Sequence, residues 1–214
     1  MLSKRFGSMI INFEISNYCN LKCPLCPRET ENHELNNVQL EYETFEDIVF
    51  QNLAFFKNCV CKFCGEVGDP LTHKNLDQFI ELSSKTFDHV MVVTNGSIRK
   101  SEWYYEQMSL HNNLHFHFGI DGITDPINNL YRVGSNLDKV FANLRSAVKV
   151  DSSRVKWDYT VFEWNKHQVG HARKMAKTLN IGINIRPNGK TSHPEIEDDI
   201  LQVFRLHEKQ VQRT

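Results

Sequence analysis

A loop with three closely spaced cysteines constrains the possible structure and chemistry of this chain more than any other feature of its sequence. Cys19, Cys23 and Cys26 follow the strand-like segment 10–16 in a C-x3-C-x2-C spacing. Three thiolates this close together can ligate three irons of a four-iron, four-sulfur cluster and leave the fourth iron without a protein ligand. A closed structural zinc site normally uses four ligands, often in two pairs, and this loop contains no histidine. The spacing favours the cluster, with zinc ligation or incidental free thiols as the alternatives.

The hydrophobic pattern predicts the fold class. Apolar residues alternate between strand-like and helix-like periods with short polar connections, which is typical of repeated βα units around a parallel sheet. The predicted strands lie near residues 10–16, 59–64, 89–94, 114–120, 155–162 and 181–186. The chain of 214 residues has the length of one ordinary domain. We therefore expect a single α/β domain with six βα units.

Two of the intervening helices show clear core stripes, and several residues look like helix starts. The stripes are Phe45, Ile48, Val49, Leu53 and Phe56 in the first helix, and Leu137, Val140, Phe141, Leu144 and Val148 in the fourth. The predicted helix starts are Thr44 paired with Asp47, Ser101, Asn136 and Pro194. Irregular backbone is expected over residues 27–42 and 186–194.

Charge and cysteine content limit the choice of cellular compartment and the classes of partner that the sequence predicts. The 25 Lys and Arg residues nearly balance the 26 Asp and Glu residues, so the charge balance does not indicate binding to a nucleic-acid backbone. No apolar run is long enough to span a membrane, and the N-terminal segment lacks a signal-peptide cleavage pattern. The six cysteines cluster in two short segments, which suits ligation in a reducing compartment better than disulfides. These features predict a cytoplasmic, intracellular protein without membrane contact.

Beyond the cysteine loop, four further segments resemble motifs of the radical S-adenosylmethionine (radical SAM) enzymes. The segment 63–71 is similar to the family's Gly-Gly-Glu-Pro segment, with Cys64 in place of the first glycine. Residues 90–96 match the polar turn after the third strand. Residues 118–122 match a Ser-x-Asp-Gly tail, except that Gly119 stands where serine is common, and residues 131–140 resemble the family's Arg-Gly-x-Ser-Phe-Asp-Lys-Val stretch.

The resemblance implies a fold and a domain extent. Radical SAM enzymes have a partial (β/α)6 TIM-like barrel, open rather than closed, and the ligand site of such folds lies at the carboxyl ends of the strands. We expect one radical SAM core domain over residues 1–214, with the cluster loop at 17–28 and six βα units over roughly 10–213. The chain is most similar to compact, core-only radical SAM proteins of the kind encoded by bacteriophages.

The same resemblance implies two cofactors and the residues that hold them. Cys19, Cys23 and Cys26 are the expected ligands of a [4Fe-4S] cluster, and S-adenosylmethionine (SAM) is the expected second cofactor. Gly65 and Glu66, next to Cys64, are expected to receive the SAM ammonium, since glycine permits close backbone approach and a carboxylate pairs with an ammonium. Arg132 is expected to pair with the SAM carboxylate. The remaining candidates for ribose or methionine contacts are Thr94, Asn95 and Asp121.

The reaction implied is reductive cleavage of SAM to a 5′-deoxyadenosyl radical, which abstracts hydrogen from the substrate. The implied partners are an external electron donor, similar to flavodoxin or ferredoxin, and an unknown small metabolite, nucleotide or peptide substrate. Two alternatives remain open from the sequence. One is an activase that acts on a glycyl-radical protein, and the other is a non-catalytic iron–sulfur or zinc binding module.

Other chemistry-bearing residues have weaker signals. Cys59 and Cys61 lie on one face of the second strand and are expected to be packed thiols, with a radical relay as the minority interpretation. His115 and His117 alternate on the fourth strand and are expected to face the barrel interior in a substrate or structural role. Three aromatic residues near the fifth strand are expected in the core or at the barrel rim, namely Trp157, Tyr159 and Trp164.

Overall fold

A six-stranded parallel sheet forms the centre of the fold. The computed structural model describes residues 9–30, 37–188 and 194–211. The strands are β1 (Ile10–Phe13), β2 (Val60–Phe63), β3 (His89–Thr94), β4 (Leu114–Gly119), β5 (Val155–Val161) and β6 (Gly182–Pro187). They are hydrogen-bonded in sequence order, and every neighbouring pair is parallel. Within the described ranges β1 and β6 are not bonded to each other, which confirms the predicted open (β/α)6 barrel in a single α/β domain.

Helices connect successive strands and cover the outer face of the sheet. They are α1 (Pro27–Thr30), α2 (Tyr42–Gln51), α3 (Leu53–Phe56), α4 (Leu76–Thr86), α5 (Ser101–Leu110), α6 (Asp125–Tyr131), α7 (Leu137–Val150), α8 (Val169–Thr178) and α9 (Pro194–Val211). Because all neighbouring strands are parallel, their carboxyl ends lie at one edge of the sheet. Among the helices of the described ranges, none has both the length and the hydrophobicity that a membrane span requires.

The core lies between the sheet and this helical layer and is rich in aromatic side chains. Phe63 on β2 packs edge-on against Phe79 of α4, and Phe79 stacks on Phe45 of α2 at 4.7 Å between ring centroids. Trp157 is fully buried, and its indole N–H donates to the carbonyl oxygen of Ile120 at 2.7 Å. Tyr159 and Trp164 are also fully buried, so the prediction that the three aromatic residues near β5 are structural is confirmed.

The predicted first helical stripe is only partly correct. Phe45, Val49 and Phe56 are buried, but the side chains of Ile48 and Leu53 are 37% and 45% exposed. The helix stops at Asn52, whose φ of −125° and ψ of 20° are not helical, and a separate short helix follows. This break shifts the helical phase after Asn52, which accounts for the exposure of Leu53, whereas Ile48 precedes the break and lies at the margin of the stripe. The stripe of α7 is correct, with Val148 at its partly buried margin.

The predicted helix starts have mixed outcomes. Asn136 caps α7 because its side chain accepts from the backbone N–H of Lys139, and α9 begins at Pro194. The pair Thr44 and Asp47 was wrong, since α2 already begins at Tyr42. The helix α5 begins at Ser101, as predicted, but the Ser101 hydroxyl donates to the Asn143 side chain and does not cap the helix. In the predicted irregular stretches, residues 27–30 form α1 and 186–187 end β6, while 31–36 and 189–193 lie outside the described residues.

Cys59 and Cys61 are packed thiols, as predicted. Cys59 is 4% exposed and donates to the carbonyl oxygen of Phe55, and Cys61 is fully buried beside the hydroxyl of Ser83 on α4. Burial raises the pKa of Cys61 to about 12, so this thiol is protonated at neutral pH. Both side chains belong to the core between sheet and helices, away from the cysteine loop.

The barrel interior contains a histidine whose burial links stability to pH. His115 on β4 lies 3.2 Å from His89 on β3, between their ring nitrogens. Burial, and then the positive charges of His89, Arg154, His117 and Lys156, lower the pKa of His115 from 6.5 to about 4. Between these two values the unfolded chain binds a proton that the folded protein does not bind. The contribution of neutral His115 to the free energy of unfolding is therefore complete above pH 6.5 and is lost as the pH falls toward 4.

We expect the free energy of unfolding to fall by about 2 kcal/mol between pH 7 and pH 5 because of His115 alone. His115→Gln should flatten this part of the pH dependence, measured by urea unfolding at constant ionic strength. His171→Gln, at an exposed position of α8, is the matched control and should leave the slope unchanged. Equal slopes for wild type and His115→Gln would show that the buried ring is not the linked group.

Candidate cofactor-binding site

A cleft of about 210 Å³ opens at the carboxyl ends of the strands and gathers nearly all of the predicted site residues. The predicted residues that line it are Cys19, Cys23, Cys26, Cys64, Gly65, Glu66, Thr94, Asn95 and Arg132. Asp121 is the exception. It is fully buried behind the cleft wall and is not among the residues that line the cleft.

The cysteine loop is fixed in place from several sides. The backbone N–H of Lys22 donates to the carbonyl oxygen of Val133, and the amide of Asn20 donates to the Ser97 hydroxyl at 2.9 Å. The loop ends in a turn that places the Cys26 N–H on the Cys23 carbonyl oxygen at 3.0 Å, directly before α1. These bonds hold the loop against the segments that follow β3 and α6.

The three loop thiols face one cleft as a set. Burial raises the pKa of Cys19, Cys23 and Cys26, to about 11 for Cys23, and the nearby thiols add to the rise at Cys19 and Cys23. They are therefore thiols at neutral pH until a metal displaces their protons. Among the described residues, no three cysteine, histidine or carboxylate side chains are grouped to ligate one metal ion. Three sulfur donors without a fourth ligand suit a cluster that spreads its ligands over several irons, and fit a single zinc ion poorly.

Asn95 connects the cysteine loop to the end of β3. Its side-chain N–H groups point to the Cys19 sulfur at 3.7 Å and to the side-chain oxygen of Asn20, Oδ1, at 3.0 Å. Its own carbonyl oxygen accepts from the backbone N–H and the hydroxyl of Ser97. The amide orientation is therefore fixed, with its donors toward Cys19.

The glycines after β2 bring two backbone segments into direct contact. A Cβ on Gly65 would lie 2.2 Å from the Gly68 carbonyl oxygen, and a Cβ on Gly68 would lie 2.0 Å from the Ser16 carbonyl oxygen. Glu66, between them, is exposed, and its backbone N–H donates to the Glu14 carboxylate. The segment thus forms one wall of the cleft directly against the chain that leads into the cysteine loop.

Asp69 supplies a buried carboxylate in that wall, which the sequence pattern did not identify as a site residue. It accepts from the Thr94 hydroxyl at 2.9 and 3.0 Å, from the Asn95 N–H at 2.8 Å and from the Leu71 N–H at 3.0 Å. Burial raises its pKa, and these hydrogen bonds and the charge of Arg132 oppose the rise. The Gly-Asp-Pro sequence at 68–70 is ordinary turn chemistry, so only the position of Asp69 beside the end of β3 reveals it.

Arg132 places a guanidinium on the opposite wall, and Asp121 holds it there. The Asp121 carboxylate accepts from Arg132 Nε at 2.7 Å and from the Thr160 N–H at 2.6 Å. Burial lowers the pKa of Arg132, but the charge and hydrogen bond of Asp121, together with Cys23 and Tyr131, raise it, and the net change is upward. The cation is thus permanent, and only its Nε edge is engaged by Asp121.

Gly119 makes room for this guanidinium. A Cβ at position 119 would lie 2.8 Å from the Arg132 Nη2. The family's common serine at this position would therefore require the guanidinium to shift away from position 119. In this chain the guanidinium occupies the space beside Gly119.

We expect Gly119→Ser to weaken SAM binding about tenfold, because Arg132 loses its orientation. Equilibrium dialysis with SAM on the reconstituted protein measures the change. Gly182→Ser on β6 is the matched control, because the nearest atom to its added Cβ is a flexible Lys156 carbon at 3.4 Å. Tighter SAM binding by Gly119→Ser would contradict this role of Gly119.

A second apolar cluster covers the outer side of the cysteine loop. Phe162 stacks on Trp164 at 4.5 Å between ring centroids, and Ile200 of α9 completes the buried part of this cluster. Leu25, between the second and third loop cysteines, packs against it. Leu25 therefore has its packing partners in this cluster.

Comparisons with known proteins agree with this geometry. Residues 13–176 match the family model described as the Radical SAM superfamily. The chain is 31% identical over 91 residues to the antilisterial bacteriocin subtilosin biosynthesis protein AlbA of Bacillus subtilis, which covers 42% of this chain and 19% of AlbA. It is 24% identical over 204 residues to a probable GTP 3′,8-cyclase of Methanococcus maripaludis, covering 91% of this chain and 66% of that protein.

Among solved structures, the fold is similar to Streptococcus suis SuiB. The crystal structure of SuiB bound to S-adenosylmethionine matches with a TM-score of 0.72 at 14% identity, over 86% of this chain and 42% of SuiB. SuiB bound to precursor peptide SuiA matches with the same TM-score at 13% identity, over 94% of this chain and 47% of SuiB. The chain therefore spans less than half the length of SuiB and a smaller part of AlbA.

Proposed function

The chain belongs to the radical SAM superfamily, and from this premise we propose that it cleaves SAM reductively and uses the resulting radical to abstract hydrogen from a substrate. One observation carries the proposal. The three loop thiols share their cleft with a buried carboxylate, Asp69, and a permanent cation, Arg132. The methionine part of SAM carries an ammonium and a carboxylate, so it needs one partner of each sign.

The cofactors are assigned to residues as follows. Cys19, Cys23 and Cys26 would hold a [4Fe-4S] cluster, and the segment from Cys64 to Asp69 would hold the ammonium of SAM. When bound, the cluster supplies the electron that cleaves SAM to methionine and a 5′-deoxyadenosyl radical. An external electron donor, similar to flavodoxin or ferredoxin, is part of the proposal.

The chain's own residues orient SAM and exclude water. Arg132, aligned by Asp121, would pair with the SAM carboxylate through the N–H groups that Asp121 leaves free. Thr94 and Asn95 line the cleft but already bond to Asp69 and to the cysteine loop, so their direct contacts with SAM would be few. The apolar cluster of Leu25, Phe162 and α9 would shield the loop from solvent, which protects a reactive intermediate.

Relatives support two substrate classes. SuiB has been solved with a precursor peptide, and AlbA is a bacteriocin biosynthesis protein, which favours a peptide. The similarity to a probable GTP 3′,8-cyclase favours a nucleotide. Both classes, peptide and nucleotide, belong to the proposed range of substrates.

The proposed reaction is tested by product analysis. Anaerobically reconstituted protein with dithionite and SAM should form 5′-deoxyadenosine and methionine in equal amounts. Protein without reductant is the control and should form neither. An intact cluster that yields no 5′-deoxyadenosine would favour the alternative of a non-catalytic iron–sulfur module.

Asn95 is expected to tune the reduction potential of the cluster. An N–H donor directed at a ligand sulfur withdraws electron density and makes reduction easier. Asn95→Ala should therefore have a more negative midpoint potential than wild type, measured by redox titration monitored by electron paramagnetic resonance. Asn112→Ala is the control, since this exposed asparagine after α5 is not among the residues that line the cleft. An unchanged potential in Asn95→Ala with full iron content would contradict this role.

A further inference from the structure

Lys62 is an unexpected residue in the middle of a buried parallel strand. Its neighbours on β2 are buried apolar residues, and strands of parallel sheets are typically near-continuous apolar runs. Cys61 and Phe63 face the helical layer and are fully buried. Because strand side chains alternate, Lys62 projects to the opposite, concave face of the sheet.

On that face Lys62 lines a second cavity, of about 690 Å³, that adjoins the cofactor cleft. Cys64 and Val93 line both spaces. The cavity extends across the interior of the open barrel to His117 on β4 and Asn184 on β6. A molecule in this cavity would therefore lie next to the proposed site of SAM cleavage.

The carboxylate of this cavity is already neutralised by other groups. Asp158 accepts from Asn184 at 2.7 Å, and it lies 3.2 Å from an Arg186 nitrogen and 3.3 Å from His117 Nδ1. The hydrogen bond and charge of His117 are among the causes that lower the Asp158 pKa against the effect of burial. Asp158 thus has three partners on β4 and β6 and none on β2.

Lys62, in contrast, has no anionic partner. Across the part of the chain that the structure describes, no carboxylate oxygen lies within 4 Å of its ammonium. Its neighbour is the Cys64 thiol, a weak hydrogen-bond acceptor. Glu14, which also lies near Cys64, already accepts from the Glu66 N–H. A partly buried ammonium without a counter-ion is unfavourable unless a ligand supplies one.

We propose that this cavity selects substrates with an anionic group, a carboxylate or a phosphate, which pairs with Lys62. The proposal rests on the proposed radical SAM function, because it identifies the class of molecule that the radical would meet. Lys62 is then a specificity-determining residue on the wall between the SAM cleft and the substrate cavity. The same chemistry could come from an acidic side chain of a small peptide or from the phosphates of a nucleotide.

Matched probe pairs separate these two sources. Reconstituted protein with SAM is titrated by calorimetry with GTP and guanosine, and with N-acetylglutamate amide and N-acetylglutamine amide. We expect one anionic probe to bind more tightly than its neutral counterpart, with GTP indicating a phosphate and N-acetylglutamate amide a carboxylate. Equal binding within both pairs would overturn the proposal.

Substitution of Lys62 tests whether this side chain makes the distinction. Lys62→Met keeps most of the side-chain volume, and it should reduce the preference for the anionic probe about tenfold or more. Lys85→Met, on the exposed surface of α4, is the matched control and should keep the full preference. A preference that survives in folded Lys62→Met protein, with folding verified by circular dichroism, would overturn the proposal in favour of Arg173 or Arg186, which also line the cavity.

The failure of this inference differs from failure of the proposed function. Wild-type protein that forms 5′-deoxyadenosine but shows no anion preference contradicts only the role of Lys62. Wild-type protein with an intact cluster that forms no 5′-deoxyadenosine contradicts the proposed function, whatever anions it binds.

Discussion

Cys23→Ala protein, reconstituted anaerobically with iron and sulfide, is expected to lose the sulfur-to-iron charge-transfer absorbance and to form 5′-deoxyadenosine at least about 100-fold more slowly than wild type. Cys23 is 8% exposed and is the most deeply buried of the three loop cysteines, so no solvent ligand can readily replace its sulfur. Iron analysis and the visible spectrum measure the first effect, and product chromatography measures the second.

Cys59→Ala is the matched control for this prediction. The Cys59 sulfur donates to a carbonyl oxygen of α3 and lies in the core, so its removal should cost about 1 kcal/mol of stability and leave the cluster intact. Full iron and an unchanged spectrum in Cys23→Ala would show that the loop thiols are not the ligands. Loss of iron in Cys59→Ala, with the fold retained, would show that the cluster ligands had been assigned to the wrong cysteine segment.

Gly68→Ala is expected to destabilise the protein by about 3 kcal/mol or more and to abolish SAM binding. The added Cβ would lie 2.0 Å from the Ser16 carbonyl oxygen and 2.9 Å from the Asn17 Cα, which are backbone atoms that no side-chain rotation can move. The chain leading into the cysteine loop must therefore separate from the Asp69 segment. The cysteine loop and the Asp69 segment, which both line the cleft, then move apart. Urea unfolding and equilibrium dialysis with SAM measure the two effects.

Gly170→Ala provides the contrast within the same chain. No atom lies within 4 Å of the Cβ that alanine would add at this position of α8. Alanine there should stabilise the protein by about 0.5 kcal/mol, because it lowers the entropy of the unfolded chain and favours helix. If Gly68→Ala were as stable as Gly170→Ala, the close approach of the two segments would not exist in solution.

The sequence predicted the fold and most of the cleft because both depend on local patterns. Strand and helix periods are local signals, and the motif segments follow directly after strands, where a parallel sheet brings them to one edge. For this reason Cys64, Thr94 and Arg132 line one cleft although they are far apart in sequence, and their roles there stay predictions. The helix break at Asn52 was missed because it interrupts an apolar period without a glycine or proline to mark it.

The remaining features depend on tertiary contacts that no local pattern contains. Asp69 looks like a turn residue until the end of β3 is placed against it. Asp121 has the motif position of a direct ligand contact, but it is buried and accepts a hydrogen bond from Arg132. The unpaired charge of Lys62 becomes visible only when the other side chains of the barrel interior have been given their partners.

The central claim is that the three loop cysteines leave one iron open for SAM. The most direct test is electron paramagnetic resonance of the dithionite-reduced protein before and after addition of SAM. We expect the g values of the reduced cluster to shift when SAM is added, because SAM bound in the cleft would change the surroundings of the open iron. An identical spectrum with and without SAM, from protein with a full cluster, would contradict the account.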